Sequence, residues 1–276
     1  ITIGLAQMVV LSIGQMNLAV GTMGGVTCAI MAVLMADHNV PIWLAIPIGL
    51  LSATLMGAIN GALVVLTQLN GFIITLGTYT ILLGFQYRLV KTFTIDKYPS
   101  SLPEFGKKAF LGFPYILVIA IMTAVLLSLF FSRTIMGRRI LATGGNPLAA
   151  RLSGVSNNRS VFLAHTLSGL LIGVAAVITI ASLPGINRSI GGDWLLASFA
   201  APIIGGVLMS GGTIAIYGTV IAAGVVRLVD IARAQYSLDP SIVSLSVGVV
   251  TLSTVALSEW RRRRTERANE GIKATQ

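Results

Sequence analysis

Apolar residues run along this chain in long blocks, broken by short polar interruptions, with little of the alternation that marks a half-exposed strand. A helix rises 1.5 Å per residue, so about 20 apolar residues cross the roughly 30 Å of hydrocarbon in a bilayer. Nine segments are predicted as membrane helices on that measure. They are Thr2–Ile13, Leu18–Ala36, Ile42–Leu69, Phe72–Val90, Pro114–Phe131, Val161–Leu183, Trp194–Met209, Thr213–Ala232 and Ser241–Ser258. The first and seventh are short. The chain opens at Ile1, already inside an apolar run, so a preceding segment is expected, giving ten in the full protein. The predicted fold class is therefore an all-α, polytopic transmembrane helix bundle.

Polar breaks within this pattern suggest an internal repeat. Asn70-Gly71-Phe72-Ile73-Ile74-Thr75-Leu76-Gly77 resembles Asp239-Pro240-Ser241-Ile242-Val243-Ser244-Leu245-Ser246-Val247-Gly248, and Gly61–Leu66 resembles Gly224–Val229. Upstream of each lies a glycine-bearing break, Gly14–Gly21 in one half and Gly191–Leu196 in the other. An odd number of crossings between the halves makes this an inverted-topology repeat, a frequent transporter construction. The expected layout is one permease domain over 1–276. It comprises a first repeat at 1–90, a linking helix at 114–131, a loop at 132–160, a second repeat at 161–258 and a basic tail at 259–276. Backbone that leaves a helix at membrane depth must be buried in protein or line a water-filled cavity. The breaks either line a solute path or form tight surface turns, since both uses favour Asn, Asp and Gly.

Composition agrees with the pattern. Of 276 residues, 55% are hydrophobic and 10% charged, against about 25% charged in a soluble domain. Thirty glycines fit helices that approach closely. The net charge of +10 sits between and after apolar blocks rather than on a soluble face, which excludes a nucleic-acid stripe. Residues 132–160 hold Arg133, Arg138, Arg139, Arg151 and Arg159 with no acid, and the tail holds Arg261, Arg262, Arg263, Arg264, Arg267 and Lys273. The positive-inside rule puts both in the cytoplasm, and 91–113 and 184–193 outside. Cys28, the one cysteine, reads as a packing residue. His38 reads as a loop residue and His165 as helix packing, so no metal ligand set is expected.

The 132–160 loop is patterned. In Gly137-Arg138-Arg139-Ile140-Leu141-Ala142-Thr143-Gly144-Gly145-Asn146-Pro147-Leu148-Ala149-Ala150-Arg151-Leu152-Ser153-Gly154-Val155, Asn146 can cap a short helix with Pro147 at its first position. Gly154 can end it, and Leu148 and Leu152 then share one face. Such a helix suits either docking onto a cytoplasmic partner or anchoring on anionic lipid.

Gly137–Val155 resembles the cytoplasmic coupling loop of permease subunits in bacterial ABC importers of the monosaccharide (ribose, xylose, galactose) type, which are related to the branched-chain amino-acid permeases. Gly14–Gly21 is similar to that family's Gly-Gly-Ile-Asp-Leu-Ser-Val-Gly signature, and Asn70–Thr78 to its Phe-Ile-Val-Thr-Leu-Gly-Thr stretch. Ala200–Gly206, with Ser210-Gly211-Gly212 and Gly218-Thr219, is similar to its last signature. There are departures. Gln15 stands where the family favours glycine, Asn17 where it favours aspartate and Ala19 where it favours serine. Arg227, Asp230 and Arg233 fall in a stretch usually apolar.

The resemblance implies a permease subunit in a bacterial inner membrane, with its tail cytoplasmic. The implied partners are a second permease subunit (identical or not), two cytoplasmic ATPases, a periplasmic or lipid-anchored solute-binding protein, and the bilayer. No phosphate-binding G-x-x-x-x-G-K-[ST] loop occurs, since Gly106-Lys107-Lys108 lacks its earlier glycine and its hydroxyl. ATP and Mg are thus expected on the ATPase subunits, with no cofactor in this chain and no enzymatic activity of its own. The coupling residues implied are Gly137, Arg138, Arg139, Gly144, Asn146, Ala149, Ala150, Arg151, Leu152 and Gly154. The translocation-pathway candidates are Gln15, Asn17, Asn60, Phe72, Thr75, Thr78, Asp193 and Ser244. The solute is expected to be a monosaccharide or polyol. The alternatives are a branched-chain amino-acid permease and an ion-coupled secondary transporter. The latter usually carries ionisable residues deep in its helices, whereas Asp37, Asp193, Asp230 and Asp239 fall near predicted helix ends.

Overall fold

The computed structural model describes residues 1–91, 94–110, 112–235, 248–249 and 253. In chain order the elements are α1 (Thr2–Leu11), α2 (Val20–Ala36), α3 (Ile42–Thr67), α4 (Gly71–Leu89), β1 (Thr94–Ile95), α5 (Ser101–Lys107), β2 (Ala109–Phe110), β3 (Phe113–Pro114), α6 (Tyr115–Arg133), α7 (Ile135–Gly145), α8 (Pro147–Leu152), α9 (Asn157–Ser182), β4 (Ile186–Asn187), α10 (Trp194–Ile204) and α11 (Ile216–Gln235). It is an all-α bundle; among the described residues the strands are two-residue pairings, β1 with β4 and β2 with β3, both antiparallel.

Eight predicted segments appear as helices whose ends mostly fall within a few residues of those expected. The ninth, with Ser244 and the basic tail, lies almost wholly outside the described residues. Among the described residues three helices, α3, α6 and α9, are long and apolar enough to cross a membrane, while α1, α2, α10 and the apolar part of α11 are shorter. Two expected helices stop early for a backbone reason. The α1 helix ends at Leu11 because Gly14 turns the chain at φ +70°, and α10 ends at Ile204, just before Gly206 at φ +94°. Such left-handed torsions suit glycine and disfavour side chains. Two stretches hold elements that were not foreseen. Residues 94–110 and 112–114 hold β1, α5, β2 and β3, and the arginine-rich loop begins with an eleven-residue helix, α7, before the expected short one.

The organising contact is α3 against α9, the most extensive helix pair. Glycines let the two backbones touch: a Cβ on Gly169 would sit 2.5 Å from the Ala53 carbonyl oxygen, and one on Gly57 would sit 2.8 Å from the Gly169 Cα. In a bilayer, lipid tails are as apolar as leucine, so close packing of this kind is what holds helices together.

The two short helices share the length of α9 rather than lying side by side. Leu5, Met8 and Leu11 of α1 join Ala164, Leu171 and Ile172 in one core cluster, while Cys28, Met31 and Met35 of α2 join Ala176, Ile180 and Ala181 in another. The Cys28 thiol reaches the Ala176 carbonyl at 3.5 Å, a packing role. Outside the spans, the Tyr98 hydroxyl donates to the Leu183 carbonyl and ties the 94–107 segment to the end of α9. Burial pushes that phenol up to about 12, so it stays neutral and able to donate.

Candidate functional site

The coupling candidates form a helix pair. Thr134 caps α7, its hydroxyl oxygen accepting from the Gly137 N–H at 3.0 Å, and Gly137 lies so close to α6 that a Cβ would stand 2.6 Å from the Phe130 carbonyl oxygen. Asn146 caps α8 by accepting from the Ala149 N–H at 3.0 Å, with Pro147 in the first turn, as its sequence position implied. Gly154, at φ +80°, lies just beyond α8. Three bonds tie the pair to α9: Asn157 Nδ2 donates to the Pro147 carbonyl at 2.9 Å, the Thr143 hydroxyl donates to Asn157 Oδ1 at 3.3 Å, and the Ser160 hydroxyl to the Arg139 carbonyl at 3.4 Å. Leu148 and Leu152 are 69% and 82% exposed, while Ala150 is buried on the opposite side. Arg138, Arg139, Ala149 and Arg151 are exposed.

Where α7 ends, three backbones meet. A Cβ on Gly144 would fall on the Ser12 carbonyl oxygen and 2.7 Å from the Gly212 nitrogen. Gly212 itself donates its N–H to that Ser12 oxygen at 2.8 Å. A Cβ on Gly211 would stand 2.6 Å from the Gly14 nitrogen and 2.9 Å from the Gly144 carbonyl oxygen. The break after α1, the break after α10 and the end of α7 are thus in direct backbone contact.

From Ser12 the first break runs through a buried polar cluster. Gln15 Oε1 lies 2.9 Å from Nε2 of His165, which is fully buried in α9. Asn17, also fully buried, accepts from the Ala19 N–H at 3.0 Å and so turns the chain into α2. Its Nδ2 and that of Asn60 approach the Met23 sulfur at 3.7 and 3.6 Å. The Gln7 amide, oriented to satisfy both groups, bonds the Asn17 backbone N–H and C=O. The Thr75 hydroxyl of α4 accepts from the Leu18 N–H at 3.0 Å and donates to the Gly71 carbonyl at 2.6 Å. The break then meets the 183–193 connection, because Gly21 and Gly191 lie carbonyl against Cα. Residues 12–21 therefore touch the α7–α8 loop at one end and the 183–193 connection at the other.

The remaining pathway candidates are dispersed. Phe72 is 44% exposed on α4, and Thr78 is half-buried, donating to the Thr75 carbonyl at 3.2 Å. Asp193 is exposed at the start of α10 and makes no side-chain cap bond. Ser244 lies outside the described residues, as do the side chains of Asp230 and Arg233.

Several participants were missed from sequence. Gln86, buried in α4, donates to the Arg188 and Ile190 carbonyls at 3.0 and 2.9 Å, holding the 183–193 connection down. Gln7 and Ser12 were passed over as well. The available signal was a lone polar residue inside an apolar run, which is costly in a membrane and seldom accidental.

The Gln15–His165 contact gives a direct test. Inside a bilayer, removing one partner leaves the other unsatisfied at about 1–3 kcal/mol, whereas removing both can be nearly neutral. His165→Leu is expected to lower the thermal midpoint in detergent, and Gln15→Leu/His165→Leu to recover most of the loss. A double variant as unstable as the single one would remove this pair as the source.

Apolar spanning helices, two backbone breaks and a surface helix pair packed against both define a multi-pass membrane protein of the solute-transport class. The chain belongs to the family described as the permease component of the branched-chain amino acid transport system, which matches residues 1–255. Among curated relatives, it is 29% identical over 269 residues to the fructose import permease protein FrcC of Rhizobium meliloti, covering 95% of this chain and 75% of that one. It is 31% identical over 221 residues to the autoinducer 2 import system permease protein LsrD of Yersinia enterocolitica, covering 78% of this chain and 66% of the relative. The LsrD protein of Escherichia coli O157:H7 is 29% identical, with 93% and 82% covered. No solved structure matches the chain.

Proposed function

We propose that this chain is the membrane-spanning permease subunit of an ATP-binding cassette importer and forms the path for a small sugar-like solute. The supporting observation is the junction of Gly144, Ser12 and Gly212, where the helix pair meets both breaks without an intervening side chain. Family membership and the fructose and autoinducer 2 permeases among its relatives support the solute class.

In this reading the 132–160 loop faces the cytoplasm and α8 docks on an ATPase through Leu148 and Leu152. ATP and Mg bind on the two ATPase subunits, which close on them. The displaced α7 end moves the Ser12 and Gly212 turns, and residues 12–21 carry the shift to α4 and to the 183–193 connection. A binding protein delivers solute at the outer face, and a second permease subunit completes the path. Arg188 braces the outer connection, with Nε on the Val90 carbonyl at 2.9 Å and its guanidinium over the Tyr87 ring at 5.7 Å.

The test is assembly and transport in proteoliposomes with the ATPase and binding protein, against a panel of monosaccharides, polyols and leucine. ATP-dependent uptake of a sugar or polyol is expected; uptake by this chain alone would end the proposal. Leu148→Asp/Leu152→Asp is expected to cut ATPase co-purification at least tenfold while membrane insertion stays normal. Unchanged co-purification would remove α8 from the docking surface.

A further inference from the structure

An apolar groove of about 450 Å³ lies between the end of α3 and the start of α9. Val65, Leu66, Phe162 and Leu163 form its floor, and Asn158 and Arg159 lie at one end. Leu66 is 79% exposed and Phe162 37%, so the floor is open to its surroundings rather than covered by the bundle. Its shape is fixed from behind. A Cβ on Gly61 would stand 3.0 Å from both the Phe162 Cα and the His165 Cβ, which sets the separation of the two helices.

Charge selects the occupant. Residues 132–160 contain five arginines and no aspartate or glutamate, and among the described residues no carboxylate pairs with Arg159. A cation and an amide at the start of α9, beside an apolar trough, match a phosphate head above an acyl chain. We propose that this groove holds an anionic phospholipid of the inner leaflet, its phosphate on Arg159 and Asn158 and an acyl chain along Val65, Leu66 and Phe162. The lipid occupies the splay between the two longest helices. It therefore braces the start of α9, the helix to which α7 and α8 are tied. The leaflet assignment rests on reading 132–160 as cytoplasmic; the binding itself does not.

Native mass spectrometry of the chain purified with its partner subunits, titrated with phosphatidylglycerol or phosphatidylcholine, tests the site. Selective retention of phosphatidylglycerol is expected. Arg159→Gln should reduce that retention roughly fivefold, the usual effect of one basic residue at an anionic surface, and Arg151→Gln should not. Val65→Trp, which fills the trough, should lose the bound lipid of either kind. Equal retention of both lipids by the wild-type protein, or an Arg159→Gln variant that keeps its selectivity, would overturn the proposal. So would a photo-crosslinker at position 65 that captures a protein segment instead of lipid. Labelling of Ser156→Cys from the cytoplasmic side tests the leaflet separately, so a wrong orientation is distinguishable from an empty groove.

Discussion

Gly144→Val is expected to abolish solute uptake, at least tenfold, in a protein that still inserts and still binds its ATPase. The reason is local. Any Cβ at this position lands on the Ser12 carbonyl oxygen and 2.7 Å from the Gly212 nitrogen, and both atoms belong to one backbone hydrogen bond of 2.8 Å. A backbone carbonyl cannot swing aside as a long side chain can, so the end of α7 must move away from the breaks. Overpacking of this kind costs about 1–3 kcal/mol. That is small against the packing of the whole bundle, yet large for a contact that must pass motion between elements. Ala carries the same Cβ, so Gly144→Ala should impair uptake too, with valine the more severe. The measurements are uptake in proteoliposomes and ATPase retention in detergent. Normal uptake by Gly144→Val would show that the junction transmits nothing.

The largest expected stability effect lies elsewhere. Gly169→Leu is expected to unfold the bundle at markedly lower temperature, because its Cβ would stand 2.5 Å from the Ala53 carbonyl oxygen and 2.9 Å from the Gly57 Cα. Here the added side chain meets the neighbouring helix backbone along the central helix pair. Separating α3 from α9 gives up close contacts that no hydrophobic effect replaces inside lipid. With overpacking at about 1–3 kcal/mol, and about 2–4 °C per kcal/mol for a chain of this size, the thermal midpoint should fall by roughly 5 °C or more. Gly77→Leu is the control, since nothing lies within 4 Å of a Cβ there. A Gly169→Leu protein that melts with the wild type would mean that the helices are not held at that distance.

These two glycines show how differently sequence and structure carry information. Gly144 lies in a motif whose resemblance to a coupling loop was readable, so its importance was expected. Its reason, a face pressed against Ser12 and Gly212, was not, because those residues are more than 60 positions away in either direction. Gly169 sits in an unremarkable apolar run and drew no attention at all. The cap at Asn146 was legible because capping involves only the next three residues. Gln15 and Asn17 were singled out as members of a break, but their partners are His165 and Met23, with Asn60 sharing the same sulfur. Asn17 is buried, Gln15 is half-buried, and both are hydrogen-bonded within the bundle, so the break is built as an internal joint.

What the sequence determined by itself was everything that depends on short range or on composition. The apolar block lengths made this a helical membrane protein, the interruption at Gly14–Gly21 located the break after α1, and the arginine-rich motif and signatures named its family. Only the tertiary structure decided that some blocks end as half-length helices, that α3 and α9 touch backbone to backbone, and that the end of α7 meets both breaks. The physical reason is that a transfer free energy belongs to each residue and can be summed along a chain. Close approach of two backbones belongs to a pair, and no property of either glycine alone says which carbonyl it will meet.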